Sequence, residues 1–129
     1  MAKDYSLEIE FLRRAVDLVN GHLLEDLDAI WIWPERERLN QEYLQALFEL
    51  AKLYEKDNRH QTALEMYHRA IQHYPTSEEA YILAMNLYMQ MNDRVNAIRL
   101  YENYAKTMEK ELNLPPSPEM ESIYERLLR

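Results

Sequence analysis

The chain has 129 residues, one domain's worth, with a single glycine, five prolines and no cysteine. Acidic residues outnumber basic ones 23 to 15, a net charge of −8 spread along the chain with no basic stripe, which excludes a surface built to neutralise phosphate backbones. Without cysteine there is no disulfide framework or thiolate chemistry, no apolar run is long enough to span a membrane, and the acidic opening "MAKDYSLEIE" has no signal-peptide core, so the expected location is the cytoplasm. Hydrophobic residues at 47% place the chain among folded proteins although 29% of it is charged. Few helix breakers amid abundant Ala, Leu, Glu, Arg and Met make the expected fold class all-α.

"SLEIEFLRRAVDLVN" reads as an amphipathic helix, with Leu7, Phe11, Ala15 and Leu18 on one stripe. "GHLLEDLDAIWIW" follows as an irregular connector, its Trp31 and Trp33 serving to anchor it. Pro34 then sits in the first turn of a long helix that runs to about Lys56.

From there the sequence repeats. "LFELAKLYEKDNRHQTALEMYHRAI" aligns with "YILAMNLYMQMNDRVNAIRLYENYA" at an offset of 34, pairing Tyr54 with Tyr88, Asn58 with Asn92, Ala63 with Ala97 and Tyr67 with Tyr101. A 34-residue period with small and aromatic residues at these places resembles the tetratricopeptide repeat. Leu50, Ala51 and Tyr54 share one face of a first helix; Ala63, Tyr67 and Ala70 share one face of a second. Alanines allow close approach of paired helices while tyrosines fill the space beside them, so the tyrosines are read as core. Asn58 and Asn92 stand in the turns, where a left-handed residue ends the first helix of each pair. Pro75 closes the first unit, and Thr76 with Glu79 has capping-box spacing for the next helix.

The second unit departs from the repeat. Tyr104 replaces the small residue and Glu109 the proline, so the helix runs on from about Val95 to Leu112, with Glu102 and Lys106 spaced as an i,i+4 pair. "NLPPSPEM" must stop it, because proline removes a donor and restricts the residue before it. Ser117 caps a final helix with Pro118 at its first position, and Met120, Ile123, Tyr124 and Leu127 form its apolar stripe. Six helices are expected, in a right-handed stack of antiparallel hairpins with the last helix folded back.

Catalytic chemistry finds little purchase. His68 and His73 are five apart and face different ways, His60 lies in a turn, and no metal-ligand spacing occurs. No Gly-rich phosphate loop or nucleophile triad is present, and Glu78 and Glu79 suit a helix start. The reading is non-catalytic, with no cofactor and no metal. Stacked hairpins would instead form a concave groove lined by Phe48, Lys52, Glu55, Ile82, Asn86 and Met89. Its occupant is either a partner peptide or the chain's own terminal helix.

Taken together, these segments resemble the bacterial transcriptional activator domain, the tetratricopeptide-like module of regulators of the Streptomyces antibiotic regulatory protein type. The resemblance rests on "AVDLVNGHLL", on "WPERERLNQEYLQALFELA", on "YPTSEEA", and on the closing "AIRLYENYAKTMEKELNLPPSPEMESIYERLL". It runs from about Leu7 to Leu128, and its hinge is absent from generic tetratricopeptide repeats. Asn113, Asn58 and Asn92 stand where relatives carry glycine, all at sites that asparagine can fill.

In that family the module follows a winged-helix domain that binds DNA. The resemblance therefore implies a single activator domain over residues 1–129, with no DNA-binding domain in this chain and no direct nucleic-acid contact. It implies a protein–protein interaction role: dimerisation, contact with other domains of the regulator, or contact with RNA polymerase. The alternative is a stand-alone tetratricopeptide scaffold binding a peptide in its groove.

Overall fold

The computed structural model describes residues 5–18 and 33–129, and among these it is all-helical. The described helices are α1 (Ser6–Leu18), α2 (Trp33–Lys56), α3 (His60–His73), α4 (Glu78–Gln90), α5 (Arg94–Leu112) and α6 (Pro118–Leu128). The connector around Gly21, with Trp31, lies outside the described residues, and so does the side chain of Trp33. Two compact units divide the chain, residues 1–66 and 67–129, and the dividing point falls inside α3.

In the first unit α1 packs on α2. The expected stripe of α1 is not the one that docks. Leu7 and Phe11 are 82% and 74% exposed, whereas Ile9 and Val16 are buried and Leu12 is half-buried. At 100° per residue, Leu7–Phe11–Ala15 and Ile9–Leu12–Val16 are both continuous apolar stripes on nearly opposite faces. Periodicity defines each stripe but does not select between them. Arg13, on the docked side, donates from Nη1 to the Tyr54 hydroxyl at 3.1 Å, and the fully buried Tyr54 also carries the Arg59 guanidinium 4.6 Å from its ring centroid. Tyr43, Leu44, Leu47, Leu50 and Ala51 complete the buried face of α2.

The second unit is the α4–α5 hairpin with α6 laid against α5. Ala80, Ala84 and Ala97 are fully buried, leaving room for Tyr81 and Tyr104, whose rings meet tilted with centroids 5.0 Å apart. Met120, Ile123 and Leu127 are the buried stripe of α6, and Tyr124 stacks on Tyr101 at 4.0 Å, nearly parallel.

The turns follow from three asparagines. Asn58, Asn92 and Asn113 are the described non-glycine residues with positive φ, at 61°, 60° and 53°. After α2, the amide of Asn58 bonds the Glu55 carbonyl and that of Arg59 bonds the Tyr54 carbonyl. After α4, Asn92 bonds Met89 and Asp93 bonds Tyr88, the same pattern 34 residues on. Both are Schellman endings that satisfy the last carbonyls of a helix. Asn113 caps α5 in the left-handed region, with its amide on the Glu109 carbonyl.

The start of α4 differs from expectation. Its N-cap is Ser77 rather than Thr76, and Ser77 makes no side-chain cap bond; its amide closes a turn onto the Tyr74 carbonyl. The turn after Pro75 takes one more residue than the capping-box spacing assumes. The Glu102–Lys106 pair does not form; both side chains are exposed, and such a surface pair contributes little whether or not it closes. Exposed i,i+4 pairs do close between Arg14 and Glu10 and between Arg38 and Glu42.

The left-handed sites yield a direct test. Asn58→Ala and Asn92→Ala should each lower unfolding free energy by about 1 kcal/mol, because a Cβ without a compensating polar side chain is strained there. Asn58→Gly and Asn92→Gly should be nearly neutral. Urea denaturation of the four variants measures this directly.

Candidate functional site

The exposed stripe of α1 borders a pocket of about 590 Å³ within the first unit. Leu7, Phe11 and Leu12 of α1 and Leu53 of α2 supply its apolar lining; Glu8, Glu49, Lys52 and Lys56 supply two charges of each sign. Helix α1 holds its position through Ile9 and Val16, so Leu7 and Phe11 are turned outward on a fixed support. Large side chains so exposed lose the roughly 1.5–3 kcal/mol that burial of each would contribute. An apolar pocket with a charge-balanced border is suited to receive a protein surface, and no metal-holding cluster occurs among the described residues.

The residues assigned to a concave groove fall in both units. In the first, Phe48 is 2% exposed and belongs to the packed interior, Glu55 is half-buried, and Lys52 is exposed at the α1–α2 pocket. In the second, Ile82, Asn86 and Met89 are half-buried along α4. The sequence reading named the Leu7–Phe11–Ala15–Leu18 stripe but not the pocket beside it. The signal was present in the second apolar stripe, Ile9–Leu12–Val16.

The titratable groups with displaced pKa values are explained by packing. His68 Nε2 lies 2.9 Å from the Tyr88 hydroxyl, and burial lowers the His68 pKa. Burial raises Tyr88, helped by the nearby Asp93 charge. Tyr101 donates to Glu121, and burial together with that carboxylate pushes its hydroxyl pKa up. Tyr104 donates to Glu78 Oε1 at 3.2 Å, and burial, then the Glu78 charge, raises it to about 12. Ser117 Oγ donates to the same Glu78 oxygen while accepting from the Met120 amide at 3.2 Å. Each of these hydrogen-bonded pairs ties one helix to another.

A helical-hairpin repeat followed by a Ser117–Pro118 hinge is the arrangement of one particular family, and that family's model, for the bacterial transcriptional activator domain, matches residues 2–128. The chain belongs to this family. No curated protein and no solved structure matches it. Membership places the chain in transcription regulation, as a regulatory domain. In this bacterial transcriptional activator domain, Glu78 holds the Ser117–Pro118 hinge onto the α4–α5 hairpin, and Leu7 and Phe11 are among the large apolar side chains left exposed.

The Glu78 cluster has a pH signature. Tyr104 ionises near pH 10 when unfolded but near 12 when folded, so the folded state keeps a proton that the unfolded state loses. Its contribution is fully present below pH 10 and is lost as pH rises toward 12. Glu78→Gln should bring the Tyr104 pKa down toward 10 and flatten the alkaline loss of stability. Tyrosine-resolved NMR titration and urea melts at pH 9 to 12 would detect both changes.

Proposed function

We propose that this domain is the non-catalytic interaction module of a bacterial transcriptional activator, working through the outward face of α1. The observation that carries this reading is the exposure of Leu7 and Phe11 beside the α1–α2 pocket. Burial of that face against a second copy, against another domain of the regulator or against RNA polymerase would shift the populations of the regulator's DNA-binding states. The border charges, Glu8 and Glu49 with Lys52 and Lys56, suit self-association, since a two-fold interface must complement itself. The net charge of −8 suits a module that leaves contact with DNA to other parts of the regulator.

A peptide-scaffold reading draws on the half-buried Ile82 and Met89 of α4. It expects a monomer that binds short extended peptides and loses them on Ile82→Glu.

The α1 reading expects association in sedimentation velocity that Phe11→Glu abolishes. Because Phe11 is 74% exposed, the substitution should change unfolding free energy by no more than about 0.5 kcal/mol. In a regulator carrying the domain, the same change should reduce activation of a reporter while DNA binding persists. A wild-type chain that stays monomeric at high micromolar concentration would reject self-association. An unaltered reporter response would reject the α1 face as a contact surface.

A further inference from the structure

In the second unit a pocket of about 440 Å³ is lined by Met89 and Asn92 at the end of α4, Arg94 at the start of α5, and Arg126 and Leu127 in the last turn of α6. Two guanidiniums and a carboxamide meet there with no acidic side chain in the lining, in a chain with eight more acids than bases. Among the described residues neither guanidinium has a hydrogen bond or ion pair. Arg13, Arg14, Arg38 and Arg59 each have a partner, whereas Arg69 and Arg99 also have none but do not line this pocket. Asp93, next in sequence to Arg94, is not in the lining; its two oxygens are taken by the Asn96 amide at 3.2 Å and the Asn96 side chain at 2.6 Å.

The position of Arg94 is electrostatically costly. It opens α5, at the positive end of the helix dipole, where the nearby carboxylate is that of the N-cap Asp93, already bonded to the Asn96 amide and side chain. Arg126 is favoured at the C-terminal end of α6, but its charge shares the pocket with that of Arg94. Repulsion between the two guanidiniums falls when an anion enters between them. Guanidinium forks match the geometry of carboxylate and phosphate oxygens, and the Asn92 side chain adds a further amide donor. Met89 and Leu127 supply an apolar wall, so the fitting ligand carries an oxyanion on a partly apolar body.

We infer that this Arg94–Arg126 pocket is an oxyanion-binding site, taking a carboxylate or phosphate group. The group arrives either on a free small molecule or on an acidic side chain of a protein segment. The site lies on different helices from the α1 face and does not depend on it.

The test is an NMR titration of the ¹⁵N-labelled chain, following the Nε–Hε signals of the arginines and the Asn92 amide. Sodium phosphate and an acetylated Glu-Leu-Glu peptide amide serve as separate probes, with ionic strength held constant by sodium chloride. Saturable shifts at Arg94 and Arg126 are expected, and Arg94→Gln or Arg126→Gln should each weaken binding about tenfold. Both side chains are exposed and unpartnered, so circular dichroism and the melting temperature should not change. Should one variant misfold, the other still decides. Arg94→Lys, which keeps the charge without the fork, should retain part of the affinity. Saturation by phosphate at lower concentration than the peptide supports a free small oxyanion; the reverse order supports an acidic protein segment. Linear shifts, shifts reproduced by chloride, or equal shifts at the exposed Arg69 and Arg99 would overturn the site.

Discussion

One carboxylate, Glu78, receives hydrogen bonds from both Tyr104 and Ser117, and through them the three helices of the second unit are joined. Glu78 lies in the first turn of α4, where the helix dipole favours negative charge, and its Oε1 accepts from both hydroxyls. Tyr104 reaches it from the middle of α5, a position where the preceding repeat has the small Ala70. Ser117 reaches it from the N-cap of α6, with its oxygen already accepting from the Met120 amide. A generic cap would only start a helix. Here the cap also determines where the helix starts, and α6 consequently falls along α5 with Tyr124 on Tyr101 and with Met120, Ile123 and Leu127 buried.

The prolines of the hinge act together with that contact. Pro115 and Pro116 prevent α5 from continuing, Asn113 turns the chain in the left-handed region, and Pro118 is preorganised for the first position of α6. These residues remove conformations from the linker, and Glu78 selects among those that remain. The Arg94–Arg126 pocket is a by-product of the same geometry. Because α6 runs back along α5, its last turn arrives near the first turn of α5, where two cations line one pocket that no acidic side chain lines.

In the first unit the corresponding organiser is Tyr54, with Arg13 on its hydroxyl, Arg59 over its ring and the Arg59 amide on its carbonyl. Its repeat partner Tyr88 accepts the Asp93 amide in the same way, but its hydroxyl meets His68. The backbone pattern is thus conserved between the repeats by the Asn58 and Asn92 turns, while the side-chain partners differ. One consequence is functional. Beside the Arg13–Tyr54 bond, Ile9 and Val16 pack inward and Leu7 and Phe11 are left on the outside, the face proposed above as the contact surface.

The helices, their lengths and their stops were legible in the sequence because they follow from local chemistry. Periodic Leu, Ala and Tyr define the helix faces, asparagine tolerates the left-handed turns, and the Asn113–Pro118 run can only be a break. The 34-residue offset likewise foretold the identical turn bonds after Tyr54 and Tyr88, and Ser117 was identifiable as a cap. Tertiary structure alone decided the rest. Helix α1 carries two apolar stripes of equal periodicity, and the Arg13–Tyr54 bond and the packing of Ile9 and Val16 on α2 choose between them, so the stripe of Leu7 and Phe11 named from the sequence is the exposed one. Glu78 looked like an ordinary helix-start acid, since nothing local indicates that hydroxyls 26 and 39 residues away will reach it. Arg94 and Arg126, far apart in sequence, meet only because the hinge folds α6 back. Spacing along one helix is a local property, but the choice of face and the meeting of distant charges depend on which surfaces pack together.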